Sequence, residues 1–235
     1  MTTKNWSQKI EKRLCDFYRE LDAVCKSAGR ERSSIEVIFA TKYLNPEQFV
    51  IFIHILEHFG KQIVLGENKV QDAQKKIGYL NEKKPQLRKT VRYVMVGNLQ
   101  KNKINRAIEI FDEIHSLDSL ELAEAVNRRL ETIEKKMTVF WEVNVSGEES
   151  KHGVRVDQVD LSLRSLRLLK SLKLEGLMTI APFYDDPERT RPVFRVLKLL
   201  ADKHNLKTSM GMSNDWKQAV EEGADIIRIG SRIFS

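Results

Sequence analysis

The stretch Ile35-Glu-Val-Ile-Phe-Ala-Thr41 is a β-branched and aromatic run of strand length, and four residues on Asn45-Pro46 opens a helix that Gly60 closes. Asn favours the N-cap and Pro the first helical position, so the pair marks a helix start. This strand-then-helix unit decides the fold because the chain goes on repeating it. Residues 63–65, 92–96, 113–116, 138–145, 174–180, 206–210 and 224–229 read as further strands, with 138–145 the clearest. Between them, residues 68–80, 99–111 and 156–172 carry helical spacing of apolar residues. Asp118 is placed to N-cap another helix, with Glu121 positioned for a capping box. Asp186-Pro187 starts a helix running to His204, and residues 215–222 form a short one with Gly223 as its C-cap.

Strands separated by helices make parallel βαβ units, and eight of them predict a closed (β/α)8 barrel rather than an open sheet. Only Gly230 to Ser235 follow the last strand, which leaves no eighth helix in the usual place. Ahead of the first strand, Trp6, Ile10, Leu14, Phe17, Leu21, Val24 and Ala28 recur at helical spacing. This extra N-terminal helix is expected to cover the gap. No linker, repeat or low-complexity segment interrupts the pattern, so residues 1–235 are expected to form a single domain.

Composition narrows the function classes. Forty Lys and Arg against 33 Asp and Glu give a net charge of +7, but the charges are interspersed and no run of five like charges occurs. A solvated surface explains them better than a nucleic-acid interface. No apolar run approaches the ~18 residues of a membrane span, and residues 1–19 lack the apolar core of a signal peptide. Cys15 and Cys25 fit no zinc or redox spacing and read as packed thiols of a reduced, cytoplasmic protein. His54-Ile-Leu-Glu-His58 matches a zinc-protease string, yet it lies in the helix after the first strand, away from strand ends, so no metal site is expected.

Barrel chemistry sits at the C-terminal ends of the strands. There the first strand supplies Thr41-Lys42. A lysine at that point is expected to face a desolvated mouth that favours the neutral amine imine chemistry needs. Met212-Ser213-Asn214 leads into a helix start, and Gly230-Ser231 follows the eighth strand. Loops after strands seven and eight are the usual phosphate site of such barrels. A phosphate at one end and a lysine at the other suit pyridoxal 5′-phosphate (PLP).

The motifs Ala40-Thr-Lys42, Gly66-Glu-Asn68-x-Val-Gln71, Gly97-x-Leu-Gln-x-Asn-Lys103, Asn144-x-x-x-Glu-x-x-Lys151-x-Gly153, Gly176-Leu-Met178, Gly211-Met-Ser-x-Asp215 and Arg228-Ile-Gly-Ser-x-Ile-Phe234 are spread from residue 35 to the end. Together they resemble the pyridoxal-phosphate homeostasis protein family, relatives of the barrel domain of alanine racemase. The resemblance implies that Lys42 forms the Schiff base with PLP. It also implies that Ser213, Gly230 and Ser231 bind the phosphate, that Arg228 approaches the pyridine nitrogen, and that Asn68 and Met212 line the pocket. Three positions depart from the family pattern: Leu44 stands where a second lysine is usual, Val94 where a histidine is usual, and Ser235 where a glycine is usual.

The expected function is therefore a non-catalytic PLP carrier in vitamin B6 homeostasis, a monomer with PLP-dependent apoenzymes as recipients. An amino-acid racemase-like enzyme is the chief alternative, and a phosphosugar isomerase and a nucleic-acid binder are the others. Arg228 argues against the racemase, since a guanidinium beside the ring nitrogen disfavours its protonation and weakens the electron sink. The tyrosine-bearing domain that a racemase adds after its barrel has no counterpart in the five residues after Gly230.

Overall fold

The computed structural model describes residues 3–60 and 62–235. The chain runs α1 (Thr3–Ser27), β1 (Glu36–Ala40), α2 (Pro46–Glu57), β2 (Ile63–Glu67), α3 (Val70–Lys83), β3 (Val91–Met95), α4 (Ile104–Ile110), β4 (Glu113–Leu117) and α5 (Leu120–Thr132). It continues β5 (Met137–Asn144), β6 (Val154–Arg155), α6 (Val159–Leu166), β7 (Leu172–Met178), α7 (Arg191–Lys203), β8 (Lys207–Met212), α8 (Trp216–Glu221), β9 (Ile226–Ile229) and α9 (Ser231–Phe234). The strands pair in the order β4-β3-β2-β1-β9-β8-β7-β5, every pair parallel, and β4 pairs with β5 to close the ring. The expected eight-stranded (β/α)8 barrel is what forms. The two-residue β6 lies outside the ring, paired to the end of β5, and has no counterpart in the sequence pattern.

Alternation along each strand divides the apolar residues between two cores. In β1, Ile38 points into the barrel, where it meets Val64, Val94, Val96, Phe140, Met178 and Ile226. Val37 and Phe39 point outward into the larger core between barrel and helices. Phe39 meets Phe52 of α2 edge-on at 5.4 Å between ring centroids, and Phe17 of α1 at 6.3 Å.

The gap after β9 is covered as expected. The buried face of α1, Ile10, Leu14, Phe17, Leu21 and Cys25, packs against α8 and the single turn of α9. Phe17 stacks edge-on against Trp216 at 5.3 Å, and Arg13 Nη1 donates to the Ile233 carbonyl at 2.9 Å. Trp216 and Ile233, on the two elements that α1 packs against, are both buried.

Local signals held in some places and failed in others. Asn45 caps α2 with a complete capping box, its side chain accepting from the Gln48 amide while Gln48 reaches back to the Asn45 amide. Gly223 takes φ +95° after α8, as a C-terminal glycine should. The cap of α5 is Ser119, not Asp118: the Ser119 hydroxyl accepts from the Leu122 amide, while Asp118 is drawn to Asn98 and His152. That shift moves Glu121 one position too early for a capping box. The helix expected over residues 156–172 is shorter, because Leu172 already pairs with Met137 as the first residue of β7. Cys15 is exposed, so only Cys25 is a packed thiol. His54 binds Glu57 of its own helix at 3.1 Å, and His58 contacts the His54 carbonyl at 2.8 Å.

Candidate functional site

The expected site residues stand at the C-terminal ends of β1, β2, β8 and β9, and two groups of them are brought together. After β8, Asp215 closes a tight turn: its amide donates to the Met212 carbonyl at 3.0 Å, and its buried carboxylate accepts the Met212 amide at 2.6 Å. The turn presents Ser213, whose hydroxyl oxygen accepts the Gly230 amide at 3.0 Å and the Arg232 amide at 3.2 Å. Two backbone N–H groups from the β9–α9 junction thus converge on one oxygen, with Ser231 between them in sequence. This is an arrangement that a phosphate oxygen can share.

Gly230 is in close approach to the first strand. A Cβ there would lie 3.1 Å from the Tyr43 ring and 3.3 Å from Ala40. The Gly230 amide and the turn carrying Lys42 are therefore adjacent. Lys42 itself is exposed, with Nζ 5.1 Å from the centroid of the Tyr43 ring. The expectation of a desolvated lysine is corrected: the strand ends at Ala40, and the following turn lifts residue 42 out of the barrel wall into water. Met212 is partly exposed at the rim. Asn68 stands at the end of β2, where its amide donates to Glu67 and its backbone is capped by Gly97; a Cβ on Gly97 would lie 2.3 Å from the Asn68 carbonyl oxygen.

Arg228 projects into the barrel and is buried. Its Nη1 donates to the carbonyl and hydroxyl of Ser209 at 2.7 and 2.9 Å, and its Nη2 to the Thr179 carbonyl at 2.8 Å. Both terminal nitrogens are tethered, and of the five N–H donors two remain, on Nε and Nη2. Burial lowers its pKa to about 10, opposed by the charges of Asp215 and Glu142, so it stays cationic at neutral pH.

Two further buried groups of the interior, His115 and Glu142, stand outside the motifs quoted above. His115 lies against Phe140 at 3.9 Å between ring centroids, with Nδ1 3.2 Å from the Ser209 hydroxyl and Nε2 3.0 Å from Glu113. Burial lowers its pKa, and a neutral ring with the proton on Nε2 satisfies the chain Arg228, Ser209, His115, Glu113 in one direction. Glu142 is buried on β5, two residues beyond the inward Phe140, and its carboxyl takes no hydrogen bond from the described residues. Burial first, then the charge of Asp118, raises its pKa to about 7 against the pull of Arg228 and Lys151. The inward alternation of Phe140, Glu142 and Asn144 was the available clue.

These residues fit PLP: amides at the β9–α9 junction for a phosphate, an exposed primary amine beside them, and a fixed guanidinium with N–H donors left for a ring nitrogen. A closed parallel barrel with this arrangement is of the alanine racemase N-terminal type. A family model, "Alanine racemase, N-terminal domain", matches residues 52–235. The chain is 34% identical to the pyridoxal phosphate homeostasis protein of Aquifex aeolicus, over 94% of this chain and 96% of the relative. Among solved structures, an unknown protein from Bifidobacterium adolescentis superposes with a TM-score of 0.89 at 28% identity, covering 100% of this chain and 98% of that one. PipY of Synechococcus elongatus, a structure with PLP bound, gives 0.75 at 28% identity, with 96% and 100% covered. The chain belongs to the alanine racemase N-terminal-domain family and, within it, to the pyridoxal phosphate homeostasis proteins.

Proposed function

We propose that the protein binds PLP at the barrel mouth and holds it through Lys42, as a carrier that keeps the cofactor available without turning over amino acids. The observation that carries this reading is the convergence of the Gly230 and Arg232 amides on the Ser213 hydroxyl, directly beside the turn that bears Lys42. In this reading Ser213, Gly230 and Ser231 hold the phosphate, Asn68 and Met212 flank the ring, and Arg228 offers a remaining N–H to the ring nitrogen. PLP supplies an aldehyde for amines and, when its ring nitrogen is protonated, an electron sink. Arg228 keeps that nitrogen unprotonated, since its own charge is already held in the same space. The whole chain acts as one PLP-binding unit, a monomer in the cytoplasm, with PLP-dependent apoenzymes as recipients.

Borohydride reduction of the PLP-loaded protein followed by peptide mapping tests the attachment point: the label is expected at Lys42, and a label at Lys69, Lys101 or Lys103 instead refutes it. Deuterium exchange at the α-carbon of alanine and other amino acids separates carrier from racemase. Exchange at about 1 s⁻¹ or faster favours the enzyme.

A further inference from the structure

Lys76 of α3 is only 4% exposed and belongs to none of the groups described above. Its ammonium donates to the Thr41 carbonyl at 2.7 Å and to Glu67 Oε2. Glu67 is fully buried. The same Oε2 accepts the Thr41 hydroxyl at 3.2 Å, and Oε1 accepts the Asn68 amide at 3.0 Å. A charged pair is strongly penalised away from water unless its geometry is well satisfied, so its placement calls for a reason.

The reason lies in what the pair holds. The Thr41 carbonyl also accepts the Leu44 amide at 2.9 Å, closing a four-residue turn whose two central residues are Lys42 and Tyr43. Leu44 is buried beneath that turn. The Lys76 ammonium therefore grips the oxygen on which the turn closes. Through Glu67 it also holds the first residue after β2. Among the described residues the exposed Lys42 side chain has no anchor of its own beyond the Tyr43 ring, so the placement of its stem depends on this turn.

We propose that Lys76, Glu67 and Thr41 are positioning residues that fix the turn bearing Lys42, and so govern covalent attachment of PLP separately from the grip on its phosphate. The inference rests on the PLP reading above. Attachment is condensation of the Lys42 amine with the PLP aldehyde: a C=N bond forms, the C=O bond breaks, and the two amine hydrogens leave with that oxygen as water. It requires Nζ at the aldehyde carbon. In the PLP reading the phosphate grip comes from the β8 and β9 ends, to which Lys76 and Glu67 make no hydrogen bond among the described residues.

The test compares the full-length protein with Lys76→Met and with the double variant Lys76→Met/Glu67→Gln, which removes both charges at near-constant volume and leaves no buried unpaired ion. Two quantities are read. One is the ratio of Lys42-attached to unattached PLP, trapped with borohydride and counted by peptide mass spectrometry. The other is affinity for pyridoxamine 5′-phosphate, which keeps ring and phosphate but has no aldehyde. In the double variant the attachment ratio should fall by about tenfold or more, the scale of a misplaced reacting group. Pyridoxamine 5′-phosphate affinity should fall by clearly less than the attachment ratio, since only the Glu67 hold on the Asn68 amide reaches its ring. A folded double variant with the wild-type ratio, or a parallel fall in both quantities, overturns the positioning role. A wild-type protein that carries no label at Lys42 overturns the PLP reading itself, and this inference with it.

Discussion

Replacing Glu142 by Gln should change the pH dependence of stability in a direction and by an amount the structure fixes. The carboxyl is buried in the barrel beside Asp118, Arg228 and Lys151, and its pKa is raised from 4.5 to about 7 by burial first and by Asp118 second. The folded state therefore holds this proton over a range in which the unfolded chain has released it. The stabilisation is fully present below the unfolded pKa and is lost as pH rises through the folded one. Integrated between pH 5 and pH 8, the loss is roughly 2–3 kcal/mol. Gln keeps the shape and the polar head but cannot ionise, so this contribution vanishes in the variant. Urea denaturation of both proteins at pH 5, 6, 7 and 8 should give a stability difference that moves in favour of Gln as pH rises, by roughly that amount. Asp215, whose pKa burial also raises, is common to both proteins and cancels in the difference. A difference that stays constant across the four pH values would refute the claim that burial makes Glu142 hold its proton more tightly in the folded state.

Ser213→Ala removes the oxygen on which the Gly230 and Arg232 amides converge. PLP affinity, followed by fluorescence titration, should fall by about 1.5–3 kcal/mol, the range for a hydrogen bond to a charged group. Phe17→Ala opens a cavity among Phe39, Tyr18 and Trp216 where α1 stands in for the eighth helix. It should cost about 3–5 kcal/mol in urea denaturation, and a cost below about 1 kcal/mol would mean α1 is dispensable to the barrel.

The barrel was legible because its evidence is local and repeated. Each strand is a short apolar run, each helix has its own spacing and caps, and a wrong boundary in one unit leaves the others intact. Boundaries failed where two local signals competed. Asp118 and Ser119 are both good caps, and the choice fell to Ser119 only because Asn98 and His152, from other loops, engage Asp118. Lys42 was legible as a residue but not in its surroundings, since nothing in Ala-Thr-Lys shows that β1 stops at Ala40. The interior groups were harder still. The chain Arg228, Ser209, His115, Glu113 joins three strands, and the contact of Lys76 with Thr41 spans 35 positions. Neither leaves a periodic trace. Lys76 reads as one more charge on an amphipathic helix until the fold sets it against Glu67.

The exposure of Lys42, unexpected from the sequence, bears on why this site suits a carrier. An enzyme that stabilises charge on a substrate gains from a closed, dry pocket, because water screens the groups that do the stabilising. A carrier has the opposite requirement: it must take up its ligand and give it back. An imine on a lysine in contact with water can be reached by hydrolysis, and attachment must also overcome the rotamer freedom of a long side chain, up to about 2 kcal/mol. Both keep the covalent link reversible. The phosphate-facing end has a different character, since the amides of Gly230 and Arg232 are held by the β9 backbone and the Asp215-closed turn, with little freedom left to lose. In the reading proposed above, this division would hold the ligand firmly at its phosphate and loosely at its aldehyde. A site of this kind would hand over PLP to another amine without first opening a barrel, and Arg228 would keep the ring a poor electron sink.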